Sequence, residues 1–370
     1  MSIQNSFKGI FKNKNVLVTG HTGFQGSWLS LWLKMLGANV IGYSLEAPTS
    51  PSLFEIINLE NKIQHFTGDV RDLSSLKQVI KNTKPDIVFH LAAQSLVHVS
   101  YEEPRTTFET NIMGSVNLLE SLRETNFSNV CIIATSDKCY KNDELQRPFK
   151  ENDPLGGKDP YSASKGATEI VTSSYRDSFF NPNISKNITA ISTVRSGNVI
   201  GGGDWAKDRL VPDCIRSLSS NLEISLRNPS SVRPWQFVLE PISGMLWLAT
   251  KMLNDKKQFS DAWNFGPFID KNITTTSLVQ EIIKSWGSGK FTSHSENNIP
   301  EAKTLFLDTT KSENQLGWKS VYSFNETVSK TIDWYKNYFN NVDMKRFTEQ
   351  QIQDYSQRAK DLKLIWQHSD

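Results

Sequence analysis

The sequence predicts an α/β protein built on a doubly wound parallel sheet with a smaller C-terminal lobe, and three observations carry that prediction. Short apolar runs rich in β-branched residues alternate with longer helix-like segments from Asn15 to about Gly201, the pattern of strands buried on both faces beneath helices. A glycine-rich turn, GHTGFQG, stands between the first run and the first helix, a place where such sheets bring backbone close to a ligand. Past Gly201 the alternation stops and loops rich in Trp, Pro and Arg take over, in a chain whose 370 residues suffice for two lobes.

Each element follows from its own stretch. NVLVTG is the first strand, and residues 23–36 form the first helix. NVIGYS and IQHFTGDV are the next strands, followed by a helix over 73–82, the strand DIVFHLAA, a helix over 107–124 and the strand NVCIIATS. YSASKGATEIVTSSYRDSFF reads as a helix and ITAISTVRSGNVIG as a strand running into a glycine-rich loop. Residues 1–200 are thus assigned to a dinucleotide-binding sheet, with strands also contributed by about 235–270, and 201–370 mainly to an interleaved substrate-binding lobe. Within that lobe ISGMLWLATKML and TVSKTIDWYKNYF read as helices, and the polar last twenty or so residues as a frayed or partner-dependent one.

Composition narrows the function classes. A formal net charge of +2 leaves no broad electrostatic footprint for nucleic acid or an anionic membrane. Cys131, Cys139 and Cys214 are too scattered for a disulfide framework or a metal cluster, so no metal is expected and a reducing compartment is. Neither a secretory leader nor a membrane span is legible, which points to the cytoplasm.

Three stretches carry chemistry. Gly20, Gly23 and Gly26 in GxxGxxG spacing, with Thr22, Phe24 and Gln25 between them, form a loop whose backbone approaches a pyrophosphate at a helix amino end. Asp69 and Val70 fall where a carboxylate accepts the adenine amino group, and Leu91, Ala92, Ala93 and Gln94 where the cofactor passes the next strand end. The second strand ends at Ser44, with Glu46 beyond it, where NAD-binding chains usually carry an acid for the ribose; NAD is favoured and NADP stays open. Tyr161 and Lys165, four apart, rise from one helix face. A tyrosine hydroxyl titrates near pH 10, and a neighbouring ammonium together with a cationic nicotinamide ring brings it toward a usable base. The third stretch, TSDKCYK, sets Asp137 beside Lys138 where a buried strand ends, and the side chains of strand neighbours share a face only where the strand has bent.

These residues, with HLAA from His90 and Asn111 in ETNIMGS, resemble the extended short-chain dehydrogenase/reductase family. GHTGFQGSWLSLWL, PSLFEI, TSDKCY, GNVIGGGDWAKDRLVPD, RPWQ and WNFGP are similar to signatures of its nucleotide-sugar 4,6-dehydratases, in particular those acting on CDP-glucose. The resemblance runs from about Phe7 to Tyr338 and implies a hydro-lyase that oxidises a sugar at C4, eliminates water across C5 and C6, and returns the hydride to C6. It implies that Tyr161 takes the C4 hydroxyl proton, Lys165 assists and holds the ribose, Ser136 hydrogen-bonds the C4 oxygen and Asp137 is the acid for the departing C6 hydroxyl. Related dTDP-glucose and GDP-mannose enzymes carry a glutamate where Lys138 stands. An ammonium cannot abstract a proton, so Lys138 acts either as a base once deprotonated, by desolvation or by transfer to Asp137, or as a stabiliser of the C5 enolate.

For the substrate, Asn198 and the following glycines are placed to wrap the diphosphate, with Arg209 and Arg233 as its cations. Trp205 and Trp235 either wall the nucleotide or fill the lobe's core. The rivals are a 4-epimerase, a dehydratase of other specificity and a dinucleotide-sensing regulator. The family suggests a homodimer, or a dimer of dimers, through a four-helix interface.

Overall fold

The computed structural model describes residues 3–142, 147–181, 189–267, 273–293 and 305–367. Its main sheet has seven strands: β1 (Asn15–Thr19), β2 (Asn39–Ser44), β3 (Gln64–Thr67), β4 (Ile87–His90), β5 (Val130–Ala134), β6 (Ala190–Ser196) and β7 (Ala262–Phe265). They lie in the order β7-β6-β5-β4-β1-β2-β3 and all pair parallel. The winding reverses between β1 and β4, where Val16 faces Ile87 and Thr19 faces His90. In sheets of this kind ligands bind beyond the carboxyl ends of the strands at that reversal.

Alternate side chains of each strand feed opposite cores. Val16, Val18, Phe89, Val130 and Ile132 enter the larger core; Leu17, Val88, Cys131 and Ile133 enter the smaller one, with Leu76 and Ile80 of α2 (Leu73–Thr83). The larger core is continuous with the C-terminal half, through α5 (Leu239–Asn254), α6 (Phe324–Phe339) and α7 (Met344–Asp361). This explains α1 (Phe24–Met35), whose residues Gly26 to Leu33 are all buried: a helix apolar on every side needs cover on every side. Trp28 donates its indole N–H to the Gly202 carbonyl at 2.9 Å, and Trp32 packs edge-on against Tyr355 and Trp366.

Two sequence expectations are revised here. The tail is not frayed over residues 344–367: α7 is capped by Asp343, Ile352 and Tyr355 are fully buried on its inner face, and Trp366 stacks on Phe7 with ring centroids 5.0 Å apart. Its few apolar residues are spaced to share that face, which a polar average conceals. The long strand read over residues 188–201 also breaks. β6 ends at Ser196, and Val199–Ile200 pairs instead with Gln236–Phe237.

Local rules account for the helices that carry the site. α4 (Pro160–Phe179) starts with proline at its first turn and Asp159 accepting the Ser162 N–H at 2.9 Å. The helix expected over 107–124 contains a π-turn, Glu109–Met113, before α3 (Gly114–Thr125). Such insertions frequently mark functional positions, and this one holds Asn111.

Candidate active site

The glycine turn lies at the reversal point and is set by contact between backbones. Gly20 has φ +76°, and a β-carbon on it would sit 2.7 Å from the Ala92 nitrogen, in the chain leaving β4. A β-carbon on Gly26 would lie 2.1 Å from the Gly20 carbonyl oxygen, so α1 can reach the turn only with glycine there. Gly23 caps α1 without a side-chain hydrogen bond, which leaves the helix amino end, at Phe24 and Gln25, to an anion. These features fit the pyrophosphate of a dinucleotide. Thr22 is committed elsewhere, its hydroxyl 2.8 Å from Ser44 Oγ and donating to the Leu45 carbonyl at 3.0 Å.

At the adenine end, Asp69 is already paired. Its carboxylate accepts the Arg71 guanidinium at 2.6 Å and the Arg71 N–H at 2.8 Å, and the Arg71 partner holds it below the ordinary aspartate range. Val70 is buried against Gly114. Glu46 is exposed and accepts from the Thr67 hydroxyl at 3.4 Å.

A hydrogen-bonded line unreadable in the sequence ties the reversal point to α4. The Ala92 N–H donates to Thr19 Oγ1 (3.3 Å), and Thr19 Oγ1 lies 2.7 Å from His90 Nδ1. On the other side of the ring Ser115 Oγ is 3.3 Å from His90 Nε2 and donates to the Asn111 carbonyl. Burial and the charge of Lys165 push His90 down to about 3, so the ring is neutral. Asn111 then accepts the Gln94 N–H (2.9 Å) and donates to the Gln94 carbonyl and to Ser164 Oγ, while Ser164 donates to the Tyr161 carbonyl. Leu91 to Gln94 and the first turn of α4 are thus one unit.

Tyr161, Lys165 and Asp137 are 8%, 5% and 3% exposed. The strand has bent where the sequence required it: Ser136 caps a single 3₁₀ turn, Asp137–Cys139, its hydroxyl accepting the Lys138 N–H at 3.2 Å. The same hydroxyl donates to Asp137 Oδ1 at 3.0 Å and favours ionisation of the Tyr161 phenol. The other carboxylate oxygen, Oδ2, is buried without a partner among the described residues. Burial pushes the Asp137 carboxyl above the ordinary range, against the pull of Lys138, of the Ser136 hydrogen bond and of Arg233. Burial thus makes Asp137 a stronger proton holder than an exposed aspartate.

The chain's own groups leave the Tyr161 phenol above its ordinary range. Burial, reinforced by the Asp137 charge, pushes the phenol up to about 12, with Ser136 and Arg209 pulling the other way. Lys165 itself is pushed down to about 8 by burial; its ammonium donates to the Ala134 carbonyl at 3.2 Å and stands 6.0 Å from the Tyr161 ring centroid.

The substrate-side residues divide. Arg209 donates to Asp204 Oδ2 and to Ser95 Oγ, each at 2.9 Å, with its charge felt at Tyr161. Arg233 is buried, donates to the Val232 carbonyl at 3.0 Å and is felt at Asp137. Asn198 accepts the Gln236 N–H at its carbonyl. The glycines after it are buried packing positions: β-carbons on Gly201, Gly202 and Gly203 would strike Val238, Trp334 and Leu53. Trp205 packs among Trp334, Tyr335, Tyr338 and Phe339, and Trp235 is buried in the larger core, which favours the core role for both. Cys131, Cys139 and Cys214 are free and buried. Among the described residues no cluster of three or more His, Cys, Asp or Glu could hold a metal ion, and no helix is long and apolar enough to cross a membrane.

This arrangement has known relatives. Residues 17–331 match the model of the GDP-mannose 4,6-dehydratase family. The chain belongs to that family. Within it, the chain is 46% identical over 350 residues to a CDP-glucose 4,6-dehydratase of Salmonella typhimurium, covering 94% of this chain and 98% of that one. The family fold is also that of two more distant solved structures. One is a dTDP-glucose 4,6-dehydratase from Streptomyces venezuelae with NAD and TYD bound (TM-score 0.76, 21% identity, 89% of this chain and 98% of that one). The other is a UDP-glucose 4-epimerase from Thermus thermophilus in complex with NAD (TM-score 0.74, 24% identity, 87% and 99%).

Two residues of the site escaped the sequence reading. Glu169 and Arg195 form a buried ion pair at 2.7 Å, and they bond Thr135 and Tyr140 on either side of the Asp137 turn. Glu169 had a signal, since it continues the four-residue step from Tyr161 through Lys165; Arg195, a lone charge inside a strand-like run, had only its oddity.

Proposed function

We propose that the chain is a cytoplasmic CDP-glucose 4,6-dehydratase that converts CDP-glucose to its 4-keto-6-deoxy derivative and water. The observation that carries this reading is Asp137: a buried carboxyl whose pKa burial raises, one oxygen bound by Ser136, near enough to Tyr161 for its charge to act on the phenol. A 4-epimerase needs no such acid, and the 46% identical relative supports the choice of nucleotide.

Bound NAD would supply the redox chemistry, as the store for the hydride exchanged between C4 and C6. The glycine turn with the amino end of α1 would hold its pyrophosphate, Asp69 and Val70 its adenine side, Leu91 to Gln94 its middle, and Tyr161 with Lys165 its nicotinamide ribose. Tyr161 removes the C4 hydroxyl proton, with Ser136 donating to the C4 oxygen and Lys165 supplying positive charge. Asp137 then protonates the leaving C6 hydroxyl. Lys138, one residue further round the turn, serves the C5 side, taking the proton as a neutral amine or stabilising the enolate. Asn198, Arg209 and Arg233 serve the diphosphate from the C-terminal lobe. Exposed Tyr101, Phe108, Met113 and Ile170 on the helices around Tyr161 support a homodimer through that face.

CDP-glucose deuterated at C4 tests the reading: the product carries the label in its C6 methyl group, read by NMR. A 4-epimer, or unchanged sugar in the presence of NAD, overturns it. Lys138→Met is expected to lower turnover about 10²-fold or more, and full elimination activity in it removes Lys138 from the chemistry.

A further inference from the structure

Asp137 and Lys138 lie on a turn of three residues, and a turn that short does not hold itself in place. Its two ends are held from behind. On the near side, the Thr135 hydroxyl donates to Glu169 Oε1. On the far side, Arg195 Nη1 donates to the Tyr140 hydroxyl at 2.7 Å, and its guanidinium lies 4.8 Å from the centroid of the Tyr140 ring. The Tyr140 hydroxyl donates on to Asn264 Oδ1 at 2.7 Å in β7. The two holding groups are the ion pair itself: Arg195 Nη2 meets Glu169 Oε2 at 2.7 Å, both residues being 3% exposed, and Thr193 donates to the same oxygen. Glu169 stands on the face of α4 that carries Tyr161 and Lys165.

The consequence is geometric. One buried ion pair fixes the acid turn and the Tyr161 helix in a common frame, although they are separate segments of chain. A buried, multiply hydrogen-bonded ion pair is weak evidence for stability but supplies directional constraint. Elimination requires Asp137 to reach the C6 oxygen of the sugar that Tyr161 has just engaged at C4, and misplacement by about 1 Å costs on the order of 10²-fold in rate.

We propose that Glu169 and Arg195, with Tyr140 as their far anchor, are positioning residues for the elimination step, aligning Asp137 and Lys138 with the sugar held at Tyr161. This rests on the dehydratase reading above. Neither touches the reacting atoms; each acts through the turn.

The test compares Glu169→Gln and Tyr140→Phe with wild type, using CDP-glucose carrying hydrogen or deuterium at C4. Tyr140→Phe removes a single hydroxyl and leaves the ion pair intact, so it stays informative where Glu169→Gln fails to fold. The expected result is a fall in kcat of about 10-fold for Tyr140→Phe and about 10²-fold for Glu169→Gln, with KM within about twofold. The C4-deuterium isotope effect on kcat also shrinks toward unity, because elimination becomes the slow step. An unchanged isotope effect alongside a lowered kcat means that only the amount of active protein has changed, and overturns the proposal. So does wild-type kcat in Tyr140→Phe. Failure of the dehydratase reading is seen separately, in wild-type protein that makes no 4-keto-6-deoxy sugar.

Discussion

The turn after β1 and the turn after β5 both end a buried strand at the carboxyl edge of the sheet, yet they are built by opposite means. The first is held by backbone against backbone: Gly20 on Ala92 and Gly26 on Gly20, with no room for a β-carbon at either. The second is held by side chains from distant segments, Glu169 on α4, Arg195 on β6 and Asn264 on β7. A steric rule leaves one residue type permissible at a position. A network of charges and hydroxyls spreads the same constraint over several residues, each replaceable at a graded loss.

The largest effect expected from breaking this contrast lies in the acid turn. Asp137→Asn keeps the shape and removes the proton, so turnover falls roughly 10² to 10⁴-fold, while coenzyme affinity, measured by titration, stays within about twofold. Gly26→Ala should do the reverse. Crowding of this kind costs about 1–3 kcal/mol, so coenzyme binding weakens on the order of 10 to 100-fold in the same titration, and protein that still binds turns over at a rate close to wild type. A coenzyme defect in Asp137→Asn would erase the distinction between the turns.

A smaller effect is set by pH. Lys165 is pushed down to about 8 by burial, so its ammonium is present below that pH and lost above it. The positive charge that favours the Tyr161 phenolate therefore disappears as pH rises, and kcat should fall up to about tenfold per pH unit above 8. Lys165→Arg, which keeps its charge throughout, should move that limb upward. The smallest expected effect is Gly23→Ala. A β-carbon there meets the Gly20 carbonyl oxygen at 3.3 Å, a contact relieved by a few tenths of an ångström, and coenzyme affinity should change less than about fivefold. A loss as large as that of Gly26→Ala would show that Gly23 serves the ligand and not the turn.

Much of the site was legible because its signals are local. The strand runs, the glycine spacing, and Tyr161 four residues before Lys165 can each be read inside a short window. The bent strand end at Asp137 was also readable, since two adjacent charges after four buried residues do not fit a continuing strand. What misled was average composition. The glycines after Asn198 looked like a phosphate cradle and are packing positions beneath Trp334 and Leu53. The polar tail likewise hides an apolar face.

By itself, then, the sequence determined the parallel sheet, the place of its glycine turn and the residues proposed for the chemistry, because hydrophobic period, glycine spacing and helix pitch are properties of neighbouring residues. Only the tertiary structure decided which way each pKa moves and what holds the acid turn. Burial and ion pairing are set by groups distant in sequence, as when Thr135 and Arg195 meet around the Glu169 carboxylate.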